Sequence, residues 1–358
     1  MKAPGQEADD MIRNNFIKRS ALFTLLLVFL LASLIAGVSI GAVSIPPSEV
    51  IRILFSHIPG FDSYLTAGLS PEHETIILTM RSPRVVLVAL VGAGLALAGA
   101  TFQGIFRNPM ADPYVIGVSS GAALGAVISI LVQSIGHIPF YFATPAFAFV
   151  FAVVTILVVY SLARVGGKAP VMTLLLAGIA VSSLLSALVS LCMFFSGNQL
   201  HQVVFWLMGG FSGRGWDYIY IFIPYGMVGA TVIFIYAREL NAMLLGEEPA
   251  QHLGVEVERV KRRLLIAAAL LTGACVSVSG LIGFVGLVIP HIVRMLFGPD
   301  HRTLLPAAAL IGAVFLLVAD ILARVVIAPS ELPVGIVTAL IGGPFFIYLL
   351  RRQKNSMF

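Results

Sequence analysis

Charge is what this sequence lacks. Only 11% of its 358 residues are Asp, Glu, Lys or Arg, while 59% are hydrophobic. Soluble domains carry roughly 25% charged residues, so a separate water-exposed domain is excluded. The mean hydropathy of +1.00 fits a chain embedded in lipid instead. Cysteine is nearly absent. Cys192 and Cys275 both lie in apolar runs, read as small core residues, and say little about redox compartment. The seven histidines are scattered, without the paired spacing of metal ligands. No nucleophile, base and acid cluster together, so neither a catalytic site nor a cofactor is expected in this chain. The glycines of "VGAGLALAG" fall at 92, 94 and 99 with no strand before them. They suit close helix packing in lipid rather than dinucleotide binding. "GGKAP" has no phosphate-binding context either.

What is present is length and apolar runs. A span needs roughly 20 residues, and ten candidates follow one another at 21–43, 85–105, 114–131, 143–162, 172–195, 218–236, 264–282, 285–295, 304–326 and 334–350. The expected fold is therefore an all-α polytopic membrane protein forming one domain over residues 1–358. The first run is too long for a signal-peptide core and reads as a retained span. Residues 1–20 form a polar N-terminal segment, and 45–80 an outer loop. Within that loop "PPSEVIRILFSHI" reads as a short surface helix with a capping serine.

Ten spans put both termini on one side. With that side cytoplasmic, seventeen of the 22 basic residues fall inside, leaving Arg52, Arg81, Arg84, Arg214 and Arg324 outside. A pI near 9.4 is thus explained by topology in a cell membrane, and nucleic acid is not expected as a partner. "AGATFQGIFRNP" and "SGLIGFVGLVIP" share a small-Gly start and a final Pro. They run in opposite directions by the span count, the pattern of an inverted repeat.

One stretch breaks the apolar rule. "LLGEEPAQHLGVEVERVKRR", Leu244 to Arg263, holds four acids and four bases in twenty residues. Gly246 can start a helix, Glu247 and Glu248 suit its positive end, and Pro249 is tolerated in the first turn. Gly254 can end it. Ala250, Leu253 and Val257 are expected on one face, with Gln251 and His252 elsewhere. A solvated loop or a helix lying on lipid is the plain alternative. A lipid-surface helix is rich in Lys and Arg, however, and this one is acidic first, which favours a protein partner.

Several long motifs in order then carry a resemblance: "RSPRVVLVALVGAGLALAGATFQGIFRNPMADPYVIGVSSGAALG", "GEEPAQHLGV", "GFVGLVIPHIVR" and "ADILARVVIAPSELPVGIVTALIGGPFF". From about Met80 to Arg352 the chain resembles the permease subunit of type II binding-protein-dependent ABC importers for ferric siderophores, haem and cobalamin. The resemblance implies ten helices per subunit and a second permease copy, with a homodimer favoured. It also implies two ATP-binding subunits, which carry the ATP and Mg, and a substrate-binding protein outside. The loop 239–260 becomes the coupling loop, with Leu244, Leu245, Gly246, Glu247, Glu248, Ala250, Leu253 and Gly254 seated in a groove of the ATPase. Arg81, Arg84 and Arg324 become docking positions for acids of the binding protein. Snorkelling or helix-end bonding is the alternative for all three, and Asp320 can pair with Arg324 within one helix. Inner gates are implied at Asn108 to Met110 and at Val171 and Met172.

An ion-coupled secondary transporter is the competing class. It calls for buried ionisable groups near the midplane, and Asp320 is the only acid clearly inside a span. Among substrates a ferric chelate is favoured, with haem and corrinoids as alternatives.

Overall fold

The computed structural model describes residues 4–41, 43–57, 70–136 and 142–354. Fourteen helices account for nearly all of it, in the order α1 (Pro4–Ser39), α2 (Pro47–Ser56), α3 (Pro71–Phe106), α4 (Val118–Gly136), α5 (Ala143–Ala163), α6 (Val171–Phe194) and α7 (Leu200–Leu207). Then come α8 (Trp216–Ile235), α9 (Ala237–Leu244), α10 (Glu247–His252), α11 (Val257–Ser279), α12 (Val285–Phe297), α13 (His301–Val325) and α14 (Val334–Lys354). Seven are long and apolar enough to cross a membrane, and shorter apolar helices at Val118–Ser134, Val285–Phe297 and Val334–Leu349 bring the candidates to the expected ten. At 1.5 Å per residue, α12 reaches only about 20 Å of a core about 30 Å thick. The non-helical segment 280–284 before it supplies part of the rest. Irregular backbone at that depth needs partners inside the protein, and Tyr114 provides two. Its hydroxyl donates to Ile282 O at 2.7 Å and accepts from Ile282 N at 3.0 Å.

Composition decides which helices lie at the centre. α3 and α11 have 78% of their most apolar window buried, against 11% for α1 and 17% for α6. In lipid there is little hydrophobic drive between helices, so those that pack closest are those whose backbones can approach. α3 offers Gly92, Gly94, Ala96, Ala98, Gly99 and Ala100 along its length, and α11 a similar alanine-rich stripe. A Cβ on Gly92 would overlap the carbonyl of Gly312 on α13, and one on Gly99 the carbonyl of Gly286 on α12. Backbone therefore meets backbone at two levels of α3.

Several sequence expectations need correction. The helix of the first span runs back to Pro4, so residues 4–20 are not a separate segment. α3 begins at Pro71 rather than near residue 85. Arg81 and Arg84 interrupt its hydropathy without interrupting the helix, which passes through a π-helical turn at Ile76–Arg81 just before Pro83. That is the side of a proline where the missing N–H disturbs helical bonding. α2 is present, but its N-cap is Pro46 and no side chain caps it, because Pro47 rather than Ser48 opens the helix. The outer loop's residues 58–69 lie outside the described residues. The two twelve-residue stretches are not structural equivalents. The first ends α3, whereas the second contains the break between α11 and α12. They meet face to face instead, at Gly99 and Gly286.

Candidate functional site: two ends of one bundle

The helices alternate in direction, so their connections gather at two ends. One end carries 164–170, 236–256 and 298–300. The other carries 40–41, 43–57, 195–215 and 326–333.

At the first end, α9 is fastened to the bundle. Leu240 and Met243 are buried, and Asn241 donates to Asp300 Oδ1 at 2.6 Å while its own Oδ1 accepts from His301 N at 2.8 Å. The chain then turns at Gly246, whose φ of 123° suits a residue without a side chain. Six helical residues follow, with Glu247 and Glu248 in the first turn. The far end closes by two bonds. Gly254 N donates to Gln251 O at 2.9 Å, and Val255 N to Ala250 O at 3.0 Å. With Gly254 left-handed at φ 83°, this is a Schellman cap. Ala250 and Val257 face inward and are fully buried, as expected. Leu253 does not join them. It is 65% exposed, beside Leu245 at 67%. The physical reason is the cap itself, which reverses the chain at Gly254, so one helical period does not run from Ala250 to Val257. His252, Gln251, Glu248 and Pro249 are exposed, and Leu244 is half-buried. The result is a short rigid helix presenting two leucines and an acidic turn.

The gate positions lie at the same end. Arg107 takes a left-handed conformation that stops α3. Asn108 Oδ1 accepts from Met110 N at 2.9 Å, holding a tight exposed turn. Val171 opens α6 and packs on the core, whereas Met172 is 68% exposed. The two pairs occupy adjoining elements. Gly178, two turns into α6, lies against the backbone of Val115 and Ile116, which continue from the Asn108 turn.

At the other end stands a buried ionic cluster. Arg84 donates through Nε and Nη2 to Asp320 Oδ1 at 3.1 and 2.8 Å, and through Nη1 to both oxygens of Glu331 at 2.9 Å. Arg324 Nε lies 3.1 Å from Asp320 Oδ2, the pairing expected within one helix. Its Nη1 and Nη2 donate to Ile40 O at 2.8 Å and Gly37 O at 2.9 Å. Arg81 donates to Val38 O at 2.8 Å, Ser39 O at 3.0 Å, and also to Val43 O. Two arginines thus satisfy the carbonyls that end α1, where cations also suit the helix dipole. Of the readings the sequence left open for these arginines, the helix-end bonding and the Asp320–Arg324 pair are both present. All three arginines are under 10% exposed, because their guanidiniums already have partners within the chain. Sequence reasoning missed Glu331, which completes the Arg84 site from the 326–333 loop.

Beside this cluster opens a cavity of about 780 Å³, lined among others by Arg84, Gln133, Trp206, Arg214, Tyr218 and Glu331. Arg214 lies over the Tyr218 ring at 4.3 Å. The short helix α7 forms one wall, which the sequence reading did not single out. Among the described residues no group of three or more His, Cys, Asp or Glu is arranged to hold a metal.

Comparison with known proteins agrees with this architecture. The model of the FecCD transport family matches residues 25–352. The uncharacterized ABC transporter permease protein YvrB of Bacillus subtilis is 45% identical over 348 residues, covering 96% of each chain. The cobalamin import system permease protein BtuC of Halobacterium salinarum is 49% identical, covering 81% of this chain and 77% of its own. The hemin transport system permease protein HmuU of Yersinia pestis is 43% identical, over 78% and 84%. A solved structure described as an inward-facing metal-chelate type ABC transporter superimposes with a TM-score of 0.80 at 32% identity, covering 93% of this chain and 99% of that one. A polytopic bundle of this build, matched over nearly its whole length, makes the chain a multi-pass member of the FecCD transport family, the permease subunits of ABC importers.

Proposed function

We propose that the chain forms, with a second copy of itself, the membrane pathway of an ATP-driven importer, and that α10 is the element through which the ATPase acts. The observation that carries this reading is the helix Glu247–His252. It is capped at Gly254, fastened through α9, and exposes Leu245 and Leu253 beside an acidic first turn. A rigid helix with a small apolar face is what a groove on a partner recognises. The charge asymmetry supports assigning this end, with both termini, to the cytoplasm. The arginine end then faces outward and receives the binding protein. Arg81, Arg84 and Arg324 shape that face from beneath, while Glu331 and Arg214 stand at its surface. Asn108, Met110, Val171 and Met172 form the inner gate. No cofactor is assigned to this chain, since ATP and Mg belong to the ATPase.

The substrate is a metal chelate, and we place ferric chelates first. The relatives above are named for an iron porphyrin and for cobalamin, and cobalamin is the second reading because its permease is 49% identical. Co-expression with a partner ATPase tests the core of the proposal. The ATPase should co-purify with the parent chain and be lost with Leu253→Asp. Retention of the ATPase by that variant at the parent level, with uptake unchanged, overturns it. Competition of a labelled ferric chelate, haem and cobalamin for the partner binding protein tests the substrate.

A further inference from the structure

α11 opens with a run of bases, Arg259, Lys261, Arg262 and Arg263, and one of them does not behave as a topology signal. Arg259, Arg262 and Arg263 are exposed, whereas Lys261 is 1% exposed. A buried ammonium is costly unless every donor is paired. Lys261 Nζ has three donors and three acceptors: Glu247 Oε1 at 2.8 Å, Glu258 Oε1 at 3.0 Å and Ala169 O at 3.4 Å. Each belongs to a different element. Glu247 opens α10, Glu258 lies in the first turn of α11, and Ala169 sits in the turn that leads into α6.

That turn is itself stiff. Val165 and Lys168 exchange backbone bonds of 2.8 and 3.1 Å around two glycines. Glu258 Oε2 accepts from Ala169 N at 3.1 Å. Thr173 Oγ1 reaches back to Ala163 O at 2.9 Å and Pro170 O at 2.8 Å, joining the end of α5 to the start of α6. Ala169 is two residues from Val171 and three from Met172. A displacement of α10 that pulls on Glu247 therefore reaches the start of α6 through one side chain.

We infer that Lys261 is the positioning residue that transmits movement of the coupling helix to the start of α6, through the Glu247–Lys261–Ala169 bridge. The inference rests on the coupling reading of α10 proposed above. It differs from a purely structural staple in what it predicts: loss of the bridge disconnects two elements that are each still folded.

The experiment uses the full permease–ATPase complex in liposomes, with Cys192→Ser and Met172→Cys in the permease. The rate at which a membrane-impermeant maleimide labels position 172 is compared without nucleotide and with ATP trapped by vanadate. The parent background should show about a tenfold ratio between the two states. Lys261→Met keeps the apolar stem and removes the charge, and should bring the ratio to within about twofold of unity. Co-purification and ATP hydrolysis are recorded alongside, to show that the complex is still assembled. Glu247→Ala is the second variant, because a Gln amide oxygen would still accept from Lys261 Nζ. Glu247 is 40% exposed, so this change does not threaten folding, and it decides the matter if Lys261→Met does not accumulate. The two changes combined should do no more than either alone.

A parent-like ratio in the Lys261→Met or Glu247→Ala complex overturns the inference. So does the absence of any nucleotide dependence in the background, since there is then no movement to transmit. Leu253→Asp in the same assay separates the two readings. If it assembles and labels as the background does, α10 is not the coupling element and the proposed function fails first. If it fails to assemble while Lys261→Met and Glu247→Ala keep the ratio, only the bridge is wrong.

Discussion

The two ends of the bundle use charge in opposite ways. At the arginine end, five ionic groups (Arg81, Arg84, Arg324, Asp320 and Glu331) are turned on one another and on the last carbonyls of α1. At the end that carries α10, Glu248, Arg259, Arg262 and Arg263 face outward, and Leu245 and Leu253 are 67% and 65% exposed. At the first end the charged groups are paired within the chain. The second leaves its charges exposed, apart from Lys261. Charge at a helix end is therefore no guide to docking until its partners are known. Changes at the arginine end should act on folding, and changes at the coupling end on assembly and transport.

The largest expected effect is Asp320→Ala. This carboxylate is 1% exposed and is shared by Arg84 and Arg324. Its removal leaves two guanidiniums close together, with only Glu331 to offset them. A loss of roughly 3–5 kcal/mol is expected, read as a lower unfolding midpoint and yield of the purified chain. An unchanged midpoint would mean that the cluster is not structural and that the contrast between the two ends is false.

Leu253→Asp comes next and should move the other quantity. The side chain is largely exposed, so the folded permease is expected to keep its midpoint. A charge set into a partner's groove loses water without gaining a partner. Affinity for the ATPase should fall about 30-fold, equivalent to about 2 kcal/mol, as measured by co-purification over a dilution series.

Gly254→Val should do less. Nothing lies within 4 Å of where its Cβ would sit, so the cost is conformational rather than steric. Forcing a β-branched residue to φ 83° costs roughly 1–2 kcal/mol. The end of α10 should loosen, lowering transport per ATP while the complex still forms. Gly254→Asn, which tolerates this conformation better, should be closer to the parent, and equal effects of the two would remove the Schellman cap from the explanation. Smallest of all is His252→Ala. That ring is exposed and makes no bond, and a shift within about 0.5 kcal/mol is expected in both assembly and stability.

How much of this was legible beforehand follows from the physics of each feature. The ten crossings are a matter of apolar length, which hydropathy reads directly. α12 is short in the sequence and in the structure alike. The start of α3 was not readable, because Arg81 and Arg84 look like the end of an apolar run until their acceptors are known. Those acceptors lie some 40 residues earlier on α1, or on α13 and the loop after it. The capped helix α10 was readable from Gly246, the two glutamates and Gly254, since caps are local. The facing of Leu253 was not, because periodicity was carried through a chain reversal. Lys261 left a signal that went unused. It falls on the stripe of Val257, Leu264, Leu265 and Ala268, all buried, so helical spacing marks it as inward among neighbours that face water.

The glycine contacts of α3 have a mechanical consequence. Where backbone touches backbone, as at Gly92 with Gly312 and Gly99 with Gly286, no layer of side chains can change rotamer to let one helix slide past another. α3 can still tilt about such a contact, because a point of touching is also a fulcrum. With two of them along its length, α3 is held to α12 at one level and to α13 at another. If α10 is the coupling helix proposed above, movement entering there has to pass around this rigid spine, and α6, one of the least enclosed helices, begins just after Ala169, which Lys261 reaches.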